Sequence, residues 1–197
     1  EILSFIIMSM NLKTILIYIL GLICYAGCNQ KCEDFDFRII DWMPHHAGDT
    51  FLLKDSLMSY PFTVELAEIN HSDKVRNHSK CICANDYTVL VSTNQVEVTI
   101  FFNESRTVEQ SSVSANGESL MFAEHWDKLD VHGMIYKDVI VYKNMLPSSS
   151  AIFEQVILAN SIGIVALEGT FGSWLRKDRT LLHVDPSKIS YRQFSCV

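Results

Sequence analysis

Gln95-Val96-Glu97-Val98-Thr99-Ile100-Phe101-Phe102 decides the fold. Val96, Val98, Ile100 and Phe102 hold every second position, with Gln95, Glu97 and Thr99 among the residues between them. An extended chain sends alternate side chains to opposite sides, so this is a strand with one buried face and one wet face. Upstream, Tyr87, Val89 and Val91 alternate with Thr88, Leu90 and Ser92, and Phe62, Val64 and Leu66 alternate with Thr63, Glu65 and Ala67. Thr93-Asn94 separates two of these runs, and Asn116-Gly117 is the strongest short hairpin signal in the chain. Strands joined by so few residues must pair antiparallel.

Further on, the apolar runs are continuous. Val139 to Tyr142, Val156 to Ala159 and Ile162 to Leu167 show little alternation, as expected of strands covered on both faces. Their β-branched residues, and the punctuation at Gly163 and Gly169, favour strand over helix. The best helix candidates are short: Ser148 to Gln155, opened by a serine cap, and a turn or two over Glu124 to Val131. The expected fold is therefore all-β, a single antiparallel β-sandwich or half-open barrel with at most short helices, spanning residues 41–197.

Composition narrows the class. The chain has 197 residues, 48% of them hydrophobic and 20% charged, which suits one folded domain rather than a disordered segment. A net charge of -7 and the lack of a basic stripe leave no footprint for nucleic acid.

The N-terminal part reads as a targeting segment. Met10-Asn11-Leu12-Lys13 precedes an apolar run from Thr14 to Tyr25, then Ala26-Gly27-Cys28. One positive charge, a short apolar segment and small residues before a cut make a secretory signal. The twelve residues of that run reach only about 18 Å as a helix, short of the ~30 Å hydrocarbon core. Residues 1–27 are thus expected to be signal and upstream lead-in, and 28–40 a tether. Tyr25-Ala26-Gly27-Cys28 resembles a bacterial lipobox, with Tyr25 at the usual aliphatic position. That resemblance makes Cys28 the lipidated first residue and a membrane surface the partner, reached through acyl chains.

With Cys24 in the signal and Cys28 lipidated, Cys32, Cys81, Cys83 and Cys196 remain. Four cysteines outside the cytoplasm allow three pairings. Cys81 and Cys83 share one strand face too closely to bond each other without strain, so each is expected to bond Cys32 or Cys196, in either order. Cys-x-Cys with distant partners lacks the spacing of a zinc site.

Asp41-Trp42-Met43-Pro44, Gly48-Asp49-Thr50 and Glu68-Ile69-Asn70-His71 together resemble segments of uncharacterised Bacteroidetes-type envelope lipoproteins. Tyr136 to Val141 followed by Ile157 to Val165 is similar to the paired C-terminal strands that close a curved sheet in such proteins. The resemblance implies secretion, lipidation and a β-rich fold, and it brings no catalytic residues with it.

Candidate chemistry is sparse. The segment Glu124 to His132 is densest in ligand-type side chains, yet has no recognised metal spacing; His125, Asp127 and His132 are its weak metal candidates. Pro44-His45-His46-Ala47-Gly48-Asp49 reads as a polar turn that sets Trp42 against the core and starts a strand at Thr50. There is no Gly-x-Ser-x-Gly elbow and no Gly-rich phosphate loop. No cofactor is implied, and the protein partner is left open. The expectation is a non-enzymatic accessory or structural protein of the bacterial envelope. An alternative is a carrier that holds an acyl ligand against Phe101, Phe102, Met121, Phe122 and Trp126 on a concave sheet face. A metal-dependent enzyme built on residues 124–132 is a second. Asn70, Asn77 and Asn103 begin Asn-x-Ser triplets, which would instead suit a eukaryotic secreted glycoprotein.

Overall fold

A computed structural model describes residues 34–72, 76–77, 80–81, 85–103, 108–145, 152–170, 172–178, 182 and 185–194. In chain order the strands are β1 (Thr50–Lys54), β2 (Ser59–Ser72), β3 (Arg76–Asn77), β4 (Lys80–Cys81), β5 (Asn85–Ser92), β6 (Glu97–Asn103) and β7 (Ser112–Ala115). Then follow β8 (Glu118–Val131), β9 (Met134–Lys143), β10 (Gln155–Ala159), β11 (Gly163–Gly169), β12 (Gly172–Arg176) and β13 (Ser190–Phe194). Helix among the described residues is limited to short 3₁₀ turns, the longest at Phe37–Trp42. None is long and apolar enough to cross a membrane. The fold is all-β.

Strand β1 hydrogen-bonds both β2 and β12, which closes the sheet into an irregular ring of ten strands. The all-β fold expected from sequence, a sandwich or half-open barrel, thus takes the form of an irregular ring joined through β1. Strand β2 is long enough to serve two neighbours along one edge. Its first half pairs β1 from Thr63 back to Ser59, and its second half, Glu68 to Ser72, pairs β13 in parallel. Strand β13 therefore lies outside the ring, and it breaks the otherwise antiparallel pattern.

The alternation that defines β5 and β6 holds. Tyr87, Val89, Val91, Val96, Val98, Ile100 and Phe102 are all buried in the main core. In β2 the alternation reverses partway: the register with β5 shifts between Val64 and Leu66, so Ala67 and Ile69 point inward and Leu66 does not. A bulge adds one residue to one strand and exchanges its faces.

The continuous runs are strands covered on both sides. Ile140 and Tyr142 of β9 face the main core, whereas Val139 and Val141 join a second cluster with Ile157, Val165, Ala166 and Leu175. The cover for this second cluster comes from the far half of the β8–β9 hairpin. Strand β9 kinks at Asp138, whose φ is 50°. Beyond the kink, Val131 and Tyr136 pack into the cluster, the Tyr136 hydroxyl donates to the Arg176 carbonyl at 2.9 Å, and His132 reaches Glu168 at 3.0 Å. The arm thus lies across the outer face of β10, β11 and β12.

Two expectations are corrected here. Glu124 to Val131 is not helical but part of β8, and the Ser148–Gln155 helix fails because Gln155 opens β10 and residues 152–154 are irregular; residues 148–151 lie outside the described part. The arm turns at His132-Gly133, with φ of 50° and 80°, the same left-handed pair adopted by Asn116-Gly117 at 50° and 79°. Both positions of a type I′ turn need positive φ, which glycine adopts freely and asparagine tolerates.

One mouth of the ring is plugged by the chain that precedes β1. Phe35, Ile39, Ile40, Trp42 and Met43 are buried in the main core, so the packed chain begins before residue 41, within the segment expected to be tether. Asp36 caps the 3₁₀ turn by accepting from the Arg38 amide at 3.1 Å. The buried Tyr87 hydroxyl donates to the Met43 carbonyl at 2.8 Å, fixing the plug to β5.

Candidate functional site

The segment that follows the plug turns sharply. The Asp49 carboxylate accepts from the His46 amide at 2.7 Å, and Gly48 and Val64 exchange amide bonds with β2 and Asp49 at 2.7 and 2.9 Å. This is the polar turn read from the sequence, with Trp42 buried before it and β1 starting at Thr50 after it. The turn separates the two histidines. His46 stays partly exposed, whereas His45 is 2% exposed.

His45 lies against Arg176, the last residue of β12. Arg176 lies two residues beyond Trp174 and so shares its strand face, which points to the ring's interior side, and it is also 2% exposed. Its Nη1 donates to the Ile162 carbonyl at 2.6 Å and lies 3.4 Å from His45 Nε2. The guanidinium carbon sits 4.9 Å from the centre of the Phe51 ring, on which His45 also stacks at 5.1 Å. A guanidinium over an aromatic face keeps part of its electrostatic stabilisation when water is removed. Gly163 allows this packing. At its φ of +88°, an added Cβ would lie 3.1 Å from Met43 Sδ and 3.2 Å from His45 Nε2.

Burial, then the neighbouring Arg176 charge, pushes the His45 pKa down to about 4, against a smaller opposing pull from Asp49. His45 is therefore neutral near neutral pH. Burial also lowers the Arg176 pKa, opposed by Asp178 and Tyr136, but a guanidinium stays protonated. Among the described residues Arg176 forms no ion pair, and its buried Nε has no hydrogen-bond partner. His45, His46, Asp49, Phe51, Arg176 and Asp178 all line one cleft of about 570 Å³ beside this mouth.

The residues singled out for an apolar ligand do not form one face. Phe102 and Phe122 turn to the packed interior, where Phe102 is fully buried. Phe101 lies on the opposite side of β6, while Met121 and Trp126 are 62% and 45% exposed. The register of β8 on β9 shifts between Phe122 and Glu124, which puts Met121 and Trp126 on the outer side. The metal candidates are also dispersed. His125 pairs with Asp138 at 2.8 Å, His132 reaches Glu168 on β11, and Asp127 joins neither pair. No group of three metal-type ligands occurs among the described residues.

Cys28, Cys32, Cys83 and Cys196, and the side chain of Cys81, lie outside the described residues. Of the Asn-x-Ser asparagines, Asn70 donates through Nδ2 to the Asp86 carboxylate at 2.8 Å. The site missed by sequence reading is Arg176. Its signal was a single charge two residues beyond Trp174 in a strand, on the face that Trp174 gives to the core. Compared with known proteins, the chain matches no family model, no curated protein and no solved structure.

Proposed function

We propose that this protein is a non-enzymatic accessory or structural protein of a bacterial cell envelope, its β domain tethered to a membrane surface by acyl chains on Cys28. The observation that carries the reading is a spacing. The apolar run ends at Tyr25, Cys28 follows, and Phe35, seven residues further on, is already buried in the main core. A lipid on Cys28 could stand no further from Phe35 than the reach of the chain between them, at most about 3.3–3.6 Å per residue, which would keep the ring close to the surface. The interior of the ring supports a structural role over an acyl carrier, because Phe62, Tyr87, Phe102 and Tyr142 fill it.

Cell fractionation and intact mass test the proposal. The mature chain should begin at Cys28 and carry the mass of its acyl groups, and Cys28→Ser should move the protein from the membrane to the soluble fraction. A mature N-terminus elsewhere, or unchanged membrane association of the variant, refutes it.

A further inference from the structure

The end of the ring away from the plug holds a second cavity. Strand β1 leaves the plug side at Thr50 and ends at Lys54, so Asp55 stands at the far end. There Asp55, Tyr60, Gln95, Ile152, Phe153 and Trp174 line a cavity of about 280 Å³. Tyr60 lies flat on Trp174, with ring centroids 4.0 Å apart and planes at 7°. Phe153 meets Trp174 nearly at right angles, at 5.3 Å. Asp55 and Tyr60 are only partly buried, so a ligand in the cavity reaches both.

Asp55 is fixed by its own turn. One carboxylate oxygen accepts from the Leu57 and Met58 amides, both at 2.6 Å, and the other from the Tyr60 hydroxyl at 2.8 Å. These bonds, that of the Met58 amide foremost, hold its pKa below the usual carboxylate value, so it is anionic at neutral pH. Among the described residues Asp55 forms no ion pair, and no cationic side chain lines the cavity. The charge is therefore uncompensated. Three of the roughly four acceptor positions of the carboxylate, however, are already taken.

We infer that this cavity binds a small methylated ammonium ion, its methyl groups against the ring of Tyr60 and its charge beside Asp55. The electron-rich face of an aromatic ring attracts a cation, and aromatic walls recognise quaternary ammonium groups in this way. A primary ammonium brings three donors that need acceptors, and Asp55 and Gln95 have few to give. A quaternary ammonium carries the charge without that need, and Ile152 and Phe153 add apolar wall for its methyls. The volume lies just below the roughly 300–1,000 Å³ of drug-sized sites, which suits so small an ion. The inference does not depend on how the chain is anchored.

NMR titration of the purified full chain with choline, ethanolamine and dimethylbutanol, the neutral carbon isostere of choline, tests it. Choline should produce saturable shifts at Tyr60, Gln95 and the Trp174 indole, ethanolamine should bind more weakly, and the neutral alcohol should not bind. Asp55→Asn keeps an acceptor for the turn and removes the charge, and should weaken choline binding by about fivefold or more. Should that variant not fold, Gln95→Lys, at an exposed position, sets a competing cation at the cavity and should weaken choline binding likewise. Phosphatidylcholine vesicles mixed with the Cys28→Ser chain separate the sources: co-sedimentation identifies a lipid headgroup, and choline shifts without it identify the free ion. Absence of saturable shifts with choline, equal binding of the neutral alcohol, ethanolamine binding as tightly as choline, or unchanged affinity in the folded variants overturns the inference.

Discussion

Acid should loosen the plugged mouth through His45, and the size of the effect follows from its burial. In the unfolded chain His45 takes up a proton near its ordinary value of 6.5, but in the fold it does so only at about 4. Between those values the unfolded state binds one proton more than the native state, so stability falls as pH falls. The contribution is fully present above the unfolded value and is lost by the folded one. Each pH unit in the window removes about 1.4 kcal/mol, or about 3 kcal/mol in all. Little solvent screening applies, because the ring is 2% exposed. Depressed carboxylates at Asp36, Asp55, Glu124 and Asp185 also lose stability in acid, so the wild-type curve alone does not isolate His45. His45→Gln keeps a polar side chain beside Arg176 and has no charge to gain. Urea unfolding followed by tryptophan fluorescence, run on both proteins from about pH 7 to about pH 4, should show their stability difference shifting by about 3 kcal/mol in favour of the variant. A difference constant to within about 0.5 kcal/mol would mean that native His45 protonates normally, and the argument from desolvation would fail.

Other substitutions test the arm and the ring separately. Gly169→Ala would place a Cβ 2.0 Å from the Ile152 carbonyl oxygen, so it should destabilise by about 3 kcal/mol or more in chemical unfolding. Gly117→Ala, with open space around it, should cost only the backbone strain of a positive φ, about 1–2 kcal/mol. Asp138→Ala removes the acceptor for His125 and Asn160 at a residue with φ of 50°; it should cost about 2 kcal/mol and speed amide exchange in the arm, with Asp138→Asn costing less. Tyr136→Phe deletes the bond to the Arg176 carbonyl and should cost about 1 kcal/mol, read as a lower urea midpoint with an unchanged slope.

The core of the ring was legible because its signal is local. Val96 to Phe102 and Tyr87 to Val91 alternate without interruption, and each element needs only its own residues to state which face is buried. The continuous runs were legible as doubly covered strands, but not what covers them. The cover is the β8–β9 arm, where a register shift at Phe122/Glu124 and a kink at Asp138 interrupt the period of two. Half-exposed residues such as Leu129 then carry no clean alternation. A turn begun by histidine also hides the hairpin, although Gly133 supplied half of its signal. The polar turn at residues 44–49 was read correctly from its own residues. What makes it a candidate site is Arg176, 131 residues further along, and no local pattern joins His45 to it.

Arg176 stands where two otherwise separate parts of the architecture meet. Its carbonyl accepts from Tyr136 in the arm, on the outer side of β12, while its guanidinium lies on the inner side with His45 and Phe51. A strand presents these two groups in different directions from a single residue, so the arm can fix the backbone without occupying the cleft. The long guanidinium stem is then held at both ends, by backbone below and by Ile162 above. Such holding restricts the arginine to few rotamers, an entropic cost already met in the fold. The arm thus completes the second core and also fixes the backbone of a buried cation at the ring's mouth, and the two roles share a single residue.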